Sequence, residues 1–324
     1  MRSGKPAAAF AVLLVVSFAT MNAMPSDTLL AALLQEAVLA LVALVAAGFA
    51  VPDSLTCCTQ SVQQRDTVRF AGITLLLTGL VGGAITILTW YFANSGNGAG
   101  FVSAVLPSAV DLMENLLLLL GICLLTGVYE EAFMRVLGIE AFEQAFGQGG
   151  AASRRTIGEC DARLGVSEHV VGGRPAHPAA SGYAAGGSVG IPGEIEHDTV
   201  KLPIAFNPAA KRAILVSALL FALLHVGAPD VSAGQLVLLQ TALKFGQALL
   251  FGVILGALYV RTRRLWPCAF IHAGFDVLYM TPNVLLTGTM PETYASGAVG
   301  DTVLLAVSVL MLSGIVLKIR KEIA

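Results

Sequence analysis

Residues 108–138 read SAVDLMENLLLLLGICLLTGVYEEAFMRVLG. A helix that crosses a bilayer needs roughly 20 apolar residues at a rise of about 1.5 Å each, and this stretch supplies them. It then ends on Glu130, Glu131 and Arg135. Ionisable side chains in a span are costly, so each one needs a partner or a function.

The whole chain suits the same solvent. Of its 324 residues 56% are hydrophobic and only 12% are charged, with a mean hydropathy of +0.78, whereas a soluble domain carries about a quarter charged residues. A net charge of −2 argues against a nucleic-acid partner. Spanning segments are predicted near 6–24, 28–51, 70–93, 108–134, 213–229, 236–260, 266–285 and 300–318. Lys and Arg collect on alternate connections, in groups around Arg2, Arg65, Arg154 to Arg212, Arg261 to Arg264 and Lys318 to Lys321. The connections at 25–27, 94–107, 230–235 and 286–299 contain none. Cationic loops stay in the cytoplasm. The expectation is therefore an all-α membrane protein: a polytopic bundle of about eight transmembrane helices in the cell membrane, with both termini cytoplasmic. Arg2, Lys5 and the apolar run after them also fit a signal peptide, whose cleavage would leave seven helices. We read the segment as an uncleaved helix.

The chain divides on this reading into N-terminal helices over 1–107 and a core over 108–324 that carries the intramembrane charges. The core is interrupted by a polar, Gly- and Ser-rich stretch at 139–210. Its composition predicts a flexible cytoplasmic insertion with at most a short amphipathic helix after Gly138. His169, His177 and His197 fall there and read as solvated. Cys57, Cys58, Cys123, Cys160 and Cys268 form no paired framework.

On a helix Glu131 and Arg135 are four apart and share a face. Glu130 is rotated from them by about 100° and left free to accept a proton from water. In the fifth segment, KRAILVSALLFALLHVGAPD, His225 lies one turn after Phe221, which can pack on its ring. In the seventh, WPCAFIHAGFDVLYM, His272 and Asp276 are again four apart. Asp276 is placed either to orient His272 or to add another polar group to the same cavity. Burying these residues apart would leave several polar groups unsatisfied, so one shared cavity is predicted. Glu130 and His225 would activate a water, and His272 and Asp276 would stabilise the oxyanion or protonate the leaving amine. Glu130, His225 and His272 also have the donor types of an open zinc site, and with no HExxH in the chain the sequence leaves metal open.

These motifs resemble those of the CPBP intramembrane proteases, the CAAX proteases and bacteriocin-processing enzymes also called the Abi family. The family's EExxxR, FxxxH and H followed four residues later by Asn or Asp are matched by Glu130-Glu131 with Arg135, Phe221 with His225, and His272 with Asp276. The resemblance covers about 115–285. It implies Glu130 as base, His225 as its partner, His272 and Asp276 as the remaining polar groups, and Glu131 with Arg135 as support. It also implies a membrane-associated or lipid-modified, CAAX-like peptide or protein as substrate. Val136 stands where the family commonly has Gly, and the insertion is longer than usual. Two alternatives stay open: a proton-coupled transporter, and a non-proteolytic immunity or scaffold member of the same fold.

Depth sets a geometric demand. Glu130 and His272 lie about 8 Å from the expected cytoplasmic ends of their helices, but His225 lies about 20 Å beyond Arg212. The fifth helix must therefore tilt or begin before the bilayer, and Pro208 suits a start there.

Overall fold

The computed structural model describes residues 4–24, 28–56, 64–95, 107–147, 207–226, 234–289 and 296–323. Their elements are α1 (Lys5–Ala23), α2 (Leu29–Ala50), a 3₁₀ turn (Pro52–Leu55), α3 (Gln64–Ser95), α4 (Ala109–Glu131), a π turn (Ala132–Ile139), α5 (Glu140–Gly147), α6 (Pro208–Leu224), α7 (Gln235–Thr262), α8 (Leu265–Thr287) and α9 (Val299–Ile323). They belong to one unit, formed by Met1–Gly149 and Ile204–Ala324. The second unit, Gly150–Pro203, lies outside the described residues. With it go most of the expected insertion, its three histidines and Cys160; Cys57 and Cys58 also lie outside.

α4, the π turn and α5 form one helical run, Ala109–Gly147, so the described residues make eight rods, and the fold is a polytopic all-α bundle. Six rods are long and apolar enough to cross a membrane. The other two, α6 and α8, carry the two histidines. Large apolar side chains face outward, Phe18 at 73% and Leu310 at 72% exposure, an arrangement that suits lipid and not water.

Local chemistry fixes the helix ends. Ser108 and Asp111 form a capping box at the start of α4, each accepting the other's backbone N–H at 3.2 Å. Asn207 Oδ1 accepts the N–H of Ala210 at 2.7 Å, with Pro208 at the first helical position. α6 therefore runs Pro208–Leu224 and not 213–229, and it stops just before Gly227 and Pro229 in the sequence. His225 caps its C-terminus and does not lie inside the span as expected. The fourth segment departs in the other direction: it continues past 134 to Gly147, and α5 is the short helix anticipated after Gly138.

These two shifts resolve the question of depth. A Cβ on Gly256 of α7 would stand 3.0 Å from Ile214 of α6 and 3.5 Å from Ile139 of the π turn, which puts those three residues at one level. From that level Glu130 is nine residues back and His225 eleven residues on, about 14 and 17 Å along their helices. The corner after α7 is pinned nearby, because Arg263 bonds Glu140 at 2.7 Å and Glu143 at 2.5 and 2.9 Å. His272 lies nine residues beyond Arg263, about 14 Å.

Close helix approach completes the framework. α4 packs on α8 and α2, α6 on α7, and α9 on α7 and α3. Gly252 and Gly256 form a GxxxG pair that lies against Ala218 and Ile214 of α6, so it serves packing inside the protein. Gly127 has the tightest seat, since a Cβ there would meet the Ala269 carbonyl oxygen at 2.6 Å and the Ala273 nitrogen at 3.1 Å. Both contacts are rigid backbone. Gly127→Ala is therefore expected to cost about 1–3 kcal/mol and to lower the unfolding temperature of the protein in lipid nanodiscs. An unchanged transition would show that α4 and α8 can separate freely.

Candidate active site

The site is built on the meeting of α4, α6 and α8. Glu131 and Arg135 are fully buried and paired, Nε to Oε2 at 3.1 Å. The guanidinium also donates to Ser217 Oγ at 3.2 Å and lies 4.6 Å from the centre of the Phe221 ring. Ser217 in turn donates to the Met134 carbonyl at 2.7 Å, which ties α6 to the π turn. Val136 is fully buried within that turn.

The second oxygen of Glu131 reaches His272, accepting from Nδ1 at 2.8 Å. Of the two tasks open to Asp276, orienting the imidazole therefore falls to Glu131. Asp276 Oδ2 lies instead 3.4 Å from His272 Nε2, on the side of the ring that faces the cavity. On α6, the Phe221 carbonyl sits 2.8 Å from His225 Nδ1. A carbonyl only accepts, so Nδ1 carries the proton and Nε2 is left with its lone pair.

Both free ring nitrogens point at Glu130. Its Oε2 is 3.7 Å from His225 Nε2 and 3.5 Å from His272 Nε2, beyond direct hydrogen-bond reach, and it accepts no hydrogen bond. The side chains of Glu130 and His225 are 21% and 27% exposed, whereas Glu131 and Arg135 are sealed at 0%. The ion pair is thus sealed, and Glu130 and His225 are part-exposed.

A cleft of about 290 Å³, counted with its open mouth, adjoins these atoms. Phe221, His225, His272 and Asp276 line one part of it, and Lys244, Gln247, Ala248, Phe251 and Phe275 the rest. Aromatic rings pin the imidazoles: Phe221 lies 4.1 Å from His225, and Phe251 5.2 Å from His272 edge to face. Every site residue read from the sequence is brought into this region. Sequence reading missed the roles of Ser217 and Phe251. Ser217, Phe221 and His225 fall at successive intervals of four, a face that the spacing does display. Among the described residues no group of three or more His, Cys, Asp or Glu is arranged to hold a metal ion.

Two imidazoles and a carboxylate oxygen that accepts no hydrogen bond, held around a small open space, can seat and deprotonate a water.

Residues 201–278 match the family model of Rce1-like type II CAAX prenyl endopeptidases. This match takes in α6, α7 and the first part of α8, and so His225, His272 and Asp276. It agrees with the CAAX-protease resemblance carried by the three motifs. No curated protein and no solved structure matches the chain. With the apolar helices, the match supports a membrane protease of the CAAX type.

Proposed function

We propose that this chain is an intramembrane endopeptidase that hydrolyses a peptide bond in a membrane-associated, lipid-modified C-terminal segment. The observation that carries the proposal is Glu130 Oε2, buried without a hydrogen bond and flanked by the free nitrogens of His225 and His272. A water on these atoms donates one hydrogen to Glu130 and the other to His225 Nε2, which leaves its lone pair for the carbonyl carbon. Attack forms a tetrahedral oxyanion as the proton passes to Glu130. His272, held by Glu131, stands beside the leaving nitrogen, and proton return to that nitrogen lets the C–N bond break. Asp276 faces His272 Nε2 and fixes the polarity of that wall. The alternating cationic loops support cytoplasmic termini in the cell membrane and a cytoplasmic approach to the site. We take 1–107 as the supporting helices and 108–324 as the catalytic core.

The test is cleavage of an internally quenched farnesylated peptide with a CAAX-type C-terminus by the full chain in lipid nanodiscs. His225→Ala should lower kcat by about 10²–10⁴-fold without loss of insertion or folding. Full activity of that variant would remove His225 from the reaction. Absence of cleavage by wild type would favour the non-proteolytic reading.

A further inference from the structure

An oxyanion needs hydrogen-bond donors, and the wall of this site is short of them. A carboxylate such as Asp276 accepts only, and the Nδ1 side of His272 is taken up by Glu131. Among the described lining residues of the cleft, Lys244 is the one Lys or Arg, and it brings three donors.

Lys244 is held in place. Its Nζ donates to Gln247 Oε1 at 3.1 Å, and Gln247 Nε2 donates to Ser308 Oγ of α9 at 2.9 Å. Ser308 then donates to the Leu305 carbonyl at 2.8 Å, so the chain of bonds ends in the backbone of a neighbouring helix. The ammonium lies 5.1 Å from the centre of the Tyr279 ring, a cation–π contact. Among the described lining residues of the cleft, Asp276 is the acid that shares the wall with it. A cation fixed before the reaction beside the reacting groups is the arrangement that favours charge developing in a transition state.

We propose that Lys244 is the electrophile of the site, donating to the carbonyl oxygen as water attacks, and that Asp276 balances its charge between turnovers. This rests on the hydrolytic reading above. The water oxygen bonds to the carbonyl carbon, its proton goes to Glu130, and the C=O π pair moves to the oxygen facing Lys244. Collapse returns that pair to C=O, breaks the C–N bond and delivers the proton to the leaving nitrogen. The products are a carboxylic acid and an amine, and Lys244 keeps its own protons throughout.

The farnesylated-peptide assay tests this with Lys244→Met, with Glu130→Ala as the inactive control and a peptide phosphonate of the same sequence as an anionic tetrahedral probe. The expected result is a fall in kcat of about 10²–10³-fold with KM within about two-fold, the pattern of an interaction made only in the transition state. The phosphonate should weaken by a similar factor, and Lys244→Arg should recover part of the loss. If Lys244→Met does not fold, Lys244→Gln, which still can bond Gln247 but has no charge, is read in the same way. A kcat within about three-fold of wild type, or an unchanged phosphonate affinity, overturns the electrophile while leaving the protease reading intact if Glu130→Ala is inactive. Cleavage retained by Glu130→Ala, or absent in wild type, overturns the hydrolytic reading and this proposal with it.

Discussion

Glu130→Gln is expected to lower kcat on the farnesylated peptide by about 10⁴-fold and to leave the unfolding temperature at or above that of wild type. The two halves of this result have one cause. Glu130 Oε2 accepts no hydrogen bond in the resting site, and the two ring nitrogens stand 3.5 and 3.7 Å away, so an amide of the same shape breaks no hydrogen bond at that oxygen. Burying a charge without a bond is unfavourable, and the amide removes that charge. In the proposed reaction the same oxygen receives the proton of the attacking water, and an amide cannot do so. Cleavage and thermal unfolding measured on one preparation check both halves. Retained activity would mean that another group is the base.

Arg135→Met should have the opposite profile, with a loss of about 3–5 kcal/mol in stability. Arg135 is one of the largest fully buried side chains among the described residues, and it joins Glu131, Ser217 and the ring of Phe221. Without it a sealed carboxylate is left with His272 alone. Adding Glu131→Gln removes the orphaned charge and should restore most of the stability. It should not restore turnover, because the carboxylate that fixes the tautomer of His272 becomes a neutral amide, at a cost of about ten-fold or more. Chemical unfolding and kinetics on the single and double variants check this separation. A double variant with full turnover would show that His272 needs no anchor.

The helices were legible because lipid leaves little choice: an apolar run long enough to span must be helical, and the cationic loops mark its ends. Hydropathy alone misplaces the ends that other signals govern. α6 begins at the Asn207–Pro208 cap, the start that Pro208 suits in the sequence and five residues before the apolar run, and the rod of α4 continues to Gly147 because an amphipathic turn can leave the apolar region without breaking. At the site, Glu130, His225, His272 and Asp276 stood out because charged groups are rare inside spans. The bond from Glu131 to His272 did not. It joins residues 141 apart in sequence and depends on how closely α4 backs onto α8, which the bare Cα of Gly127 permits. Lys244 and Gln247 stand three apart in an apolar helix, a pairing that spacing can show, but Tyr279 of α8 and Ser308 of α9 complete the arrangement and cannot be read from α7.

The π turn at Ala132–Ile139 bears on how the length of this chain can vary. A π turn holds more residues per turn than an α-helix, so loss of one residue from Val136 to Ile139 can be absorbed as the rod tightens toward regular α geometry, and Glu140 and Glu143 keep their face toward Arg263. An added residue has no such slack to use, because the turn is already wide: everything beyond it would swing by about 100°, and both acids would turn away from Arg263. Single-residue deletions between Arg135 and Glu140 should therefore be tolerated better than single-residue insertions there.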